Sequence, residues 1–205
     1  MKRLAILGAS GHGKVVAEIA ELSGWQEIVF FDDAWPKVKS IGIWSVEGNT
    51  GDLIACIHDF DSFFVAIGNN AMRWEKFTQL NSYELEAAVL VHPSAVISKH
   101  AMLNKGSVVM ANAVVNPFVS VCMASIVNTG AILDHDCRLE SATHVSPGAN
   151  LAGEVVVGHQ SWIGIGASVK QQVVIGSKVT VGAGAAVIND INDGLTVVGV
   201  PAIPI

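Results

Sequence analysis

Two different hydrophobic patterns divide this chain of 205 residues. In the longer, carboxyl-terminal part, Val, Ile or Leu stands at every sixth residue over seventeen consecutive positions. An α-helix needs apolar residues at steps of three and four, and a flat strand needs every second one, so a step of six predicts a β-helix of hexapeptide repeats. The seventeen positions are Val91, Ile97, Leu103, Val109, Val115, Val121, Val127, Leu133, Leu139, Val145, Leu151, Val157, Ile163, Val169, Ile175, Val181 and Val187.

The repeat also predicts the cross-section of the column. Three hexapeptides would close a triangular coil of eighteen residues, and residues 91 to 192 would form about five and two-thirds coils. The residue four places after each aliphatic is usually small, as at Ala113 and Ser125, so both positions are predicted to face the interior. The pattern does not fix the hand of the coil. Parallel crossovers are right-handed in nearly all sheets, so the repeat by itself does not predict a left-handed coil.

The first part of the chain alternates between strand-like and helical patterns. Such alternation predicts a small Rossmann-like parallel sheet, with ligands at the carboxyl ends of its strands. We therefore predict an α/β domain over residues 1–85 and a β-helix with a carboxyl-terminal cap over residues 86–205. The predicted elements of the first domain are strands at Leu4–Leu7, Ile28–Phe31 and Phe63–Ile67 and a helical stretch at Val15–Leu22.

A glycine-rich turn follows the first predicted strand and opens the first helix. Backbone N–H groups and the helix dipole bind phosphate in this context, although a tight structural turn is the alternative. Glycines at Gly8, Gly11 and Gly13 do not have the dinucleotide spacing, which disfavours a nicotinamide enzyme. Polar residues after the second and third strands would either complete a nucleotide pocket or merely cap turns and helices. They are Asp32, Asp33, Gly68, Asn69, Asn70 and Arg73.

Two histidines occupy informative places in the repeat. His135 lies two residues after Leu133, at a turn, and His144 points outward from a strand. A solvent-facing imidazole between Asp134 and Asp136 is a candidate general base whose tautomer a carboxylate fixes, and an ordinary surface histidine is the alternative. Nine residues are half a coil, so the two rings should lie on opposite sides of the column. Both can serve one site only between subunits, which predicts a trimer.

Composition excludes several classes of protein. The net charge of -6 argues against nucleic-acid binding, and the apolar runs fall short of the roughly 20 residues that span a bilayer. The amino terminus lacks the pattern of a secretion signal, so a cytoplasmic protein is expected. Three cysteines without metal-ligand spacing predict buried thiols rather than a structural zinc.

Five motifs in a fixed order make the chain closely resemble a known family over nearly its full length. They are Gly8-Ala-Ser-Gly-His-Gly-Lys-Val-Val, Asp32-Asp33, Ala66-Ile-Gly-Asn-Asn, Asn128-Thr-Gly-Ala-Ile-Leu-Asp-His-Asp-Cys and Gly199-Val-Pro-Ala. The family is the sugar O- and N-acyltransferases of the sialic-acid-synthesis and bacillosamine-synthesis type. The resemblance implies a trimer with a left-handed β-helix and an amino-terminal nucleotide-sugar domain. It implies acetyl-CoA-dependent acetylation, without a metal, of the 4-amino group of a nucleotide-linked amino-deoxy sugar.

The resemblance also implies roles for individual residues. His135 would be the catalytic base and Asp136 its acidic partner; some relatives have Glu at this position, so the reach of the shorter Asp136 is a question for the structure. His144 would hydrogen-bond the acetyl thioester carbonyl, and Asn128 would contact the sugar. The remaining acetyl-CoA positions would be Gly153, Ile165 and Ala183, and the nucleotide-sugar pocket would include Ser10, Gly11, His12, Asp32 and Asp33.

Three alternatives remain at this point. An O-acetyltransferase acting on a sialic-acid-like hydroxyl would use the same residues. A β-helical carbonic anhydrase needs three histidines that converge on zinc, whereas His135 and His144 supply two at an unsuitable spacing. A non-catalytic nucleotide-sugar-binding protein would need only the inward residues of the column.

Overall fold

The computed structural model describes residues 2–205, which form two compact units that divide between Pro93 and Ser94. The boundary predicted from the sequence, after residue 85, falls inside the first unit. Residues 86–88 belong there because their backbone hydrogen-bonds to the last strand of its sheet: Phe63 N donates to Glu86 O, and Ala88 N donates to Phe63 O. Among residues 2–205, no helix has the length and apolarity needed to cross a membrane.

The first unit is the predicted α/β domain. Its five-stranded sheet has the order β3-β4-β2-β1-β5, in which β3 and β4 form an antiparallel hairpin and the other pairs are parallel. The sheet core contains fully buried Leu4, Ile6, Phe30 and Phe63. The elements are β1 (Arg3–Leu7), α1 (Gly11–Leu22), β2 (Glu27–Phe31), β3 (Ser40–Ile41), β4 (Trp44–Gly48), α2 (Thr50–Ala55), a 3-10 turn (Ile57–Asp59), β5 (Ser62–Val65), α3 (Asn70–Asn81) and β6 (Leu90–Val91).

The second unit is the predicted parallel β-helix. Equivalent strands pair at a separation of eighteen residues: Val115 pairs with Ile97 on one side and Leu133 on the other. One face is β22-β19-β16-β13-β10-β7, the second is β20-β17-β14-β11-β8, and the strands of this unit on the third face run from β9 to the antiparallel pair β23–β24. Each short strand sends one side chain inward and one outward, and the inward one is the aliphatic residue of the repeat.

The strands of this unit are two residues long except β23. They are β7 (Val96–Ile97), β8 (Met102–Leu103), β9 (Val108–Val109), β10 (Val114–Val115), β11 (Ser120–Val121), β12 (Ile126–Val127), β13 (Ile132–Leu133), β14 (Arg138–Leu139), β15 (His144–Val145), β16 (Asn150–Leu151), β17 (Val156–Val157), β18 (Trp162–Ile163), β19 (Ser168–Val169), β20 (Val174–Ile175), β21 (Thr180–Val181), β22 (Ala186–Val187), β23 (Thr196–Val198) and β24 (Ile203–Pro204).

The interior is filled as the repeat predicts. From Ser107 onward the small residues four places after the aliphatics are buried, including Ala113, Ser125, Thr143 and Ser161. Consecutive coils approach closely in the later part of the column, where a Cβ on Gly164 would lie 2.5 Å from the carbonyl oxygen of Val181. Cys137 is buried, whereas the thiols of the other two cysteines lie in half-buried residues.

Every sixth residue at the corners adopts the left-handed backbone conformation. Fourteen consecutive corner positions, from Gly106 to Gly184, have φ between 55° and 70°, and nine of them are not glycine. This conformation costs a non-glycine residue roughly 1 kcal/mol. A backbone hydrogen bond to the preceding coil offsets the cost, as where Asp136 N donates to Pro117 O and Glu154 N donates to His135 O. The stacking of coils, rather than glycine, therefore sets the corner geometry.

Candidate functional site

His135 lies at an exposed corner directly after β13. Its Nδ1 is 2.8 Å from Oδ2 of Asp136, so the shorter acidic side chain does reach the ring. A carboxylate only accepts hydrogen bonds, so Nδ1 carries the proton and Nε2 of the neutral ring keeps its lone pair. The hydrogen bond to Asp136 is the main cause of a raised pKa for His135, and the nearby charges of Asp134 and Glu154 add to it. The arrangement is that of a general base with a carboxylate that orients it.

The neighbouring carboxylate, Asp134, shapes the turn. Its Oδ1 accepts hydrogen bonds from the backbone N of His135 at 2.8 Å and from Nδ2 of Asn116 at 2.9 Å. These bonds lower the pKa of Asp134. The two carboxylates beside the imidazole thus differ in function, because Asp134 holds the backbone and Asp136 contacts the ring.

Gly153 lies one coil after His135 and forms the surface against which the imidazole packs. A Cβ added to Gly153 would lie 2.5 Å from both Cε1 and Nε2 of His135. Any side chain at this position would therefore displace the ring. The resemblance assigned Gly153 to the acetyl-CoA groove, and the structure adds a direct contact with the catalytic candidate.

His144 lies on a different face of the column, on β15, and is 6% exposed. It points outward as predicted, but neighbours cover it. Its Nε2 is 3.0 Å from Nδ2 of Asn128, and its ring lies 4.6 Å from the indole of Trp162, measured between centroids. The indole N–H donates to Oγ of Ser146 at 2.7 Å. Neither Trp162 nor Ser146 is predicted as a site residue from the sequence, although the eighteen-residue register places Trp162 directly beside His144.

Ile165 and Ala183 occupy the same corner in consecutive coils, as their spacing predicts. Both are exposed, and the amide following Ala183, that of Gly184, donates to the carbonyl oxygen of Ile165 at 2.8 Å. Ile165 is 57% exposed, which is a large apolar surface to leave in water. The two residues form a flat apolar strip along the column.

The α/β unit has a cavity of about 320 Å³ at the carboxyl ends of β1, β2 and β5. The glycine-rich turn and α3 complete its wall. Among the predicted pocket residues, Ser10, Asp32, Asp33 and Gly68 line it. The remaining lining residues are Leu7, Gly8, Ala66, Ile67, Met72 and Lys76.

Asp33 is held by an ion pair inside this pocket. Its carboxylate accepts from Lys76 Nζ at 2.7 Å and from the backbone N and Oγ1 of Thr50 at 2.9 Å and 2.6 Å. Burial alone would raise the pKa of Asp33, but the bonds from Lys76 and Thr50 outweigh burial and lower it to about 2. Lys76 is not predicted as a pocket residue from the sequence, since nothing in its local sequence relates it to Asp33.

Asp32 organises the glycine-rich turn. Its Oδ2 accepts from Ala9 N at 2.7 Å and its Oδ1 from Ala34 N at 2.8 Å. Ser10 is the N-cap of α1, yet its side chain makes no capping hydrogen bond, and the first turn of the helix has no acidic residue. A Cβ on Gly11 would meet no atom within 4 Å. The start of α1 therefore presents uncompensated backbone donors beside open space, which suits an anion.

Three predicted pocket residues lie elsewhere. Asn69 caps α3 by accepting from Met72 N at 2.9 Å. Arg73 is fully buried and donates to Ile67 O, Gly68 O and Oδ1 of the buried Asn70 at 2.7 to 3.0 Å. The expectation that Asn70 and Arg73 face the ligand is corrected, because α3 turns both into the core, where they hold the loop that lines the pocket.

His12 is half-buried and is not among the residues that line this cavity. Its Nε2 is enclosed and has no hydrogen-bond partner among residues 2–205. Burial, together with the positive charge of Arg73, lowers the pKa of His12 to about 4. The ring is therefore neutral at physiological pH. Across residues 2–205 no group of three His, Cys, Asp or Glu side chains is arranged to hold a metal ion.

Known proteins share both units. The family described as the PglD N-terminal domain matches residues 3–80. The acetyltransferase domain of PglB from Neisseria gonorrhoeae is 44% identical, each chain is covered completely, and the TM-score is 0.96. The chain belongs to the nucleotide-sugar N-acetyltransferases of the hexapeptide-repeat superfamily. Its membership confirms the predicted family and the predicted fold class, including the left-handed β-helix.

Two further members of this family of N-acetyltransferases are similar to the chain. PerB, the perosamine N-acetyltransferase of Caulobacter crescentus, has been solved with CoA and GDP-perosamine; it is 34% identical over all of this chain and 98% of PerB, with a TM-score of 0.95. UDP-N-acetylbacillosamine N-acetyltransferase of Bacillus subtilis is 36% identical over 114 residues, 54% of this chain. The match spans about half, 52%, of that curated relative.

Proposed function

We propose that this protein transfers an acetyl group from acetyl-CoA to the 4-amino group of a nucleotide-linked amino-deoxy sugar. The observation that carries the proposal is the exposed His135–Asp136 pair, with 2.8 Å between Nδ1 and Oδ2. The pair occurs in a chain that is 44% identical over its whole length to an acetyltransferase domain solved in complex with acetyl coenzyme A. The relatives that act on UDP- and GDP-linked sugars support the substrate class.

In the proposed reaction His135 is the general base. The amine nitrogen attacks the thioester carbonyl carbon while Nε2 of His135 takes a proton from that nitrogen, and Asp136 stabilises the resulting imidazolium. The C–N bond forms, the C–S bond breaks, and the CoA thiolate leaves with the proton that His135 returns. His144 hydrogen-bonds the carbonyl oxygen as negative charge develops on it. The raised pKa of His135 makes its neutral ring a stronger base than an isolated imidazole.

The amino-terminal pocket is the proposed nucleotide site. The open start of α1 at Ser10 and Gly11 suits a diphosphate, and Lys76 places a positive charge on the same wall. Asp33 accepts hydrogen bonds from Lys76 and Thr50. A nucleobase or a ribose hydroxyl of the ligand would donate to the same carboxylate or replace one of these two donors. The exposed strip of Ile165 and Ala183 is the proposed contact for the pantetheine arm of acetyl-CoA.

The proposed assembly is a homotrimer with active sites between subunits. His135 and His144 lie on different faces of one column, so one substrate pair can meet both only if the rings come from neighbouring copies. Mixing His135→Ala and His144→Ala chains after joint refolding tests this directly. Mixed trimers should regain part of the activity that each variant lacks, whereas independent sites would leave the mixture inactive.

An acetyl-transfer assay tests the function itself. Thiol release from acetyl-CoA would be followed with UDP-, dTDP- and GDP-linked 4-amino sugars, using His135→Ala as the matched control. We expect one carrier to support turnover, with a product that resists alkaline hydroxylamine because it is an amide. A hydroxylamine-labile product would identify an O-acetyltransferase, and no thiol release with any acceptor would contradict the enzyme proposal.

A further inference from the structure

We infer that Asn128 is a positioning residue that fixes the tautomer of His144, so that the ring proton lies on Nδ1. The inference rests on the proposed function only where the Nδ1 proton of His144 is used in catalysis. The tautomer itself follows from the hydrogen bonds of one side-chain amide.

The orientation of the Asn128 amide is determined by its other partner. Oδ1 of Asn128 accepts from the backbone N of Thr129 at 2.8 Å. A backbone N–H only donates, so the amide cannot be rotated to bring its own NH₂ group to this position. The NH₂ group therefore faces His144, with Nδ2 3.0 Å from Nε2.

The protonation of the imidazole follows in the same way. An amide nitrogen only donates, so Nε2 of His144 must be the acceptor and cannot carry a proton. The neutral ring then has its proton on Nδ1. An imidazolium would set two N–H groups against each other at 3.0 Å, so Asn128 disfavours the charged ring as well as the other tautomer.

The neighbouring coil fixes the plane of the ring. Trp162 packs over the imidazole at 4.6 Å with 33° between the planes, and its own position is fixed by the hydrogen bond to Ser146. His144 thus has a defined orientation and a defined proton. A preorganised donor of this kind contributes to catalysis without reorganising during the reaction.

The two imidazoles consequently use the same tautomer in opposite ways. In His135 the Nδ1 proton is committed to Asp136, and Nε2 offers a lone pair. In His144 the Nε2 lone pair is committed to Asn128, and the proton lies on Nδ1, an atom that the chain encloses. In the proposed reaction one ring removes a proton from the amine, and the other supplies a hydrogen-bond donor for the carbonyl oxygen.

Nitrogen NMR of the full-length protein labelled with ¹⁵N-histidine tests the tautomer without any substrate. A His144→Gln sample identifies the resonances of this ring. We expect an unprotonated Nε2 and a protonated Nδ1 at pH 7.5. In Asn128→Asp the carboxylate accepts instead of donating, so Nε2 should become protonated. Asn128→Leu removes the amide without adding charge and should mix both tautomers, with a fall in kcat of about tenfold.

A matched control is Asn104→Asp. Asn104 occupies the same place in its hexapeptide and donates through Nδ2 to Val121 O at 2.9 Å, so this change costs a comparable hydrogen bond away from both histidines. It should leave the His144 spectrum unchanged. A protonated Nε2 in the unmodified protein, or an unprotonated Nε2 in Asn128→Asp, would overturn the inference. The proposed acetyl transfer is judged separately by the assay on the unmodified protein, so the two failures are distinguishable.

Discussion

His135 and His12 are the same residue type in opposite environments. His135 stands at an exposed corner of the β-helix, where the hydrogen bond from its ring to Asp136 raises its pKa. His12 lies under the glycine-rich turn of the α/β unit, where burial and the charge of Arg73 lower its pKa to about 4. The first ring is exposed to solvent and has a carboxylate partner. The second is neutral at physiological pH, and its Nε2 is enclosed.

The difference shows that position in the fold, more than residue type, decides which polar group can react. A corner of the coil exposes its side chain and brings the carboxylate of the adjacent residue alongside. The first turn of α1 directs His12 toward Arg73, which is itself fully buried and bonded to the loop of Ile67 and Gly68. Four substitutions would break or sharpen this contrast.

Removing the proposed general base should have the largest effect. General-base assistance contributes about 10² to 10⁴-fold, so His135→Ala should lower kcat by that order. The side chain is exposed, so the unfolding midpoint should change little. Steady-state kinetics and a thermal melt on the same sample measure both quantities. Unchanged turnover would remove His135 from the mechanism.

Displacing the ring without removing it comes next. Gly153→Ala puts a Cβ where Cε1 and Nε2 of His135 now lie, so the ring must move. A misplacement of about 1 Å can cost roughly 10²-fold, and kcat should fall accordingly. Gly148→Ala is the matched control, because it lies at a corner position of the kind that Ala124 and Ala142 already occupy. Equal losses in the two variants would show a general effect on the column.

Substitution of His12 should change the pH dependence of stability rather than turnover. The folded-state pKa of His12, about 4, lies below its ordinary value of 6.5, so the unfolded chain binds the proton first as pH falls. The stabilisation that comes from a neutral His12 in the folded state is complete above pH 6.5. It is lost as pH falls to about 4, which lowers the free energy of unfolding by about 3 kcal/mol in total. Urea unfolding of His12→Gln at several pH values should lack this dependence. Parallel curves for the two proteins would contradict a buried neutral ring.

Asp136→Asn should have the smallest effect. The change removes the charge that raises the pKa of His135, so the acid limb of the kcat profile should move to lower pH. The pair is exposed, and a loss of roughly fivefold at neutral pH is expected, as for other exposed charge pairs. A pH–rate profile measures the shift. A limb that moves to higher pH would show that another group titrates there.

The β-helix was predictable because its repeat is visible in single residues. Each inward aliphatic, such as Leu133, reports one strand, and the eighteen-residue coil places Gly153 beside His135 before any coordinates are known. The left-handed corners were less visible, since Phe118 and Asp136 adopt this backbone without being glycine. Stacking imposes their conformation, and a local sequence does not record it.

The α/β unit was predictable in its buried strands and less so in its polar contacts. The hairpin of β3 and β4 has a first strand of only two residues, Ser40–Ile41, which is too short for a period to appear. Lys76 meets Asp33 only through tertiary packing, and α3 turns Arg73 inward although its side chain is charged. Tertiary packing decides which face of a helix or strand is buried. The sequence alone therefore leaves open whether a polar residue such as Arg73 faces the pocket or the core.

The hydrogen bonds at the corners connect each coil only to the coils before and after it. A whole coil of eighteen residues added at the far end of the column would leave the surroundings of His135 unchanged, whereas a single inserted residue in a strand would point an aliphatic side chain to the outside. The column can therefore gain whole turns while His135 and its neighbours keep their places. Shorter insertions are tolerated only where the chain loops out at a corner.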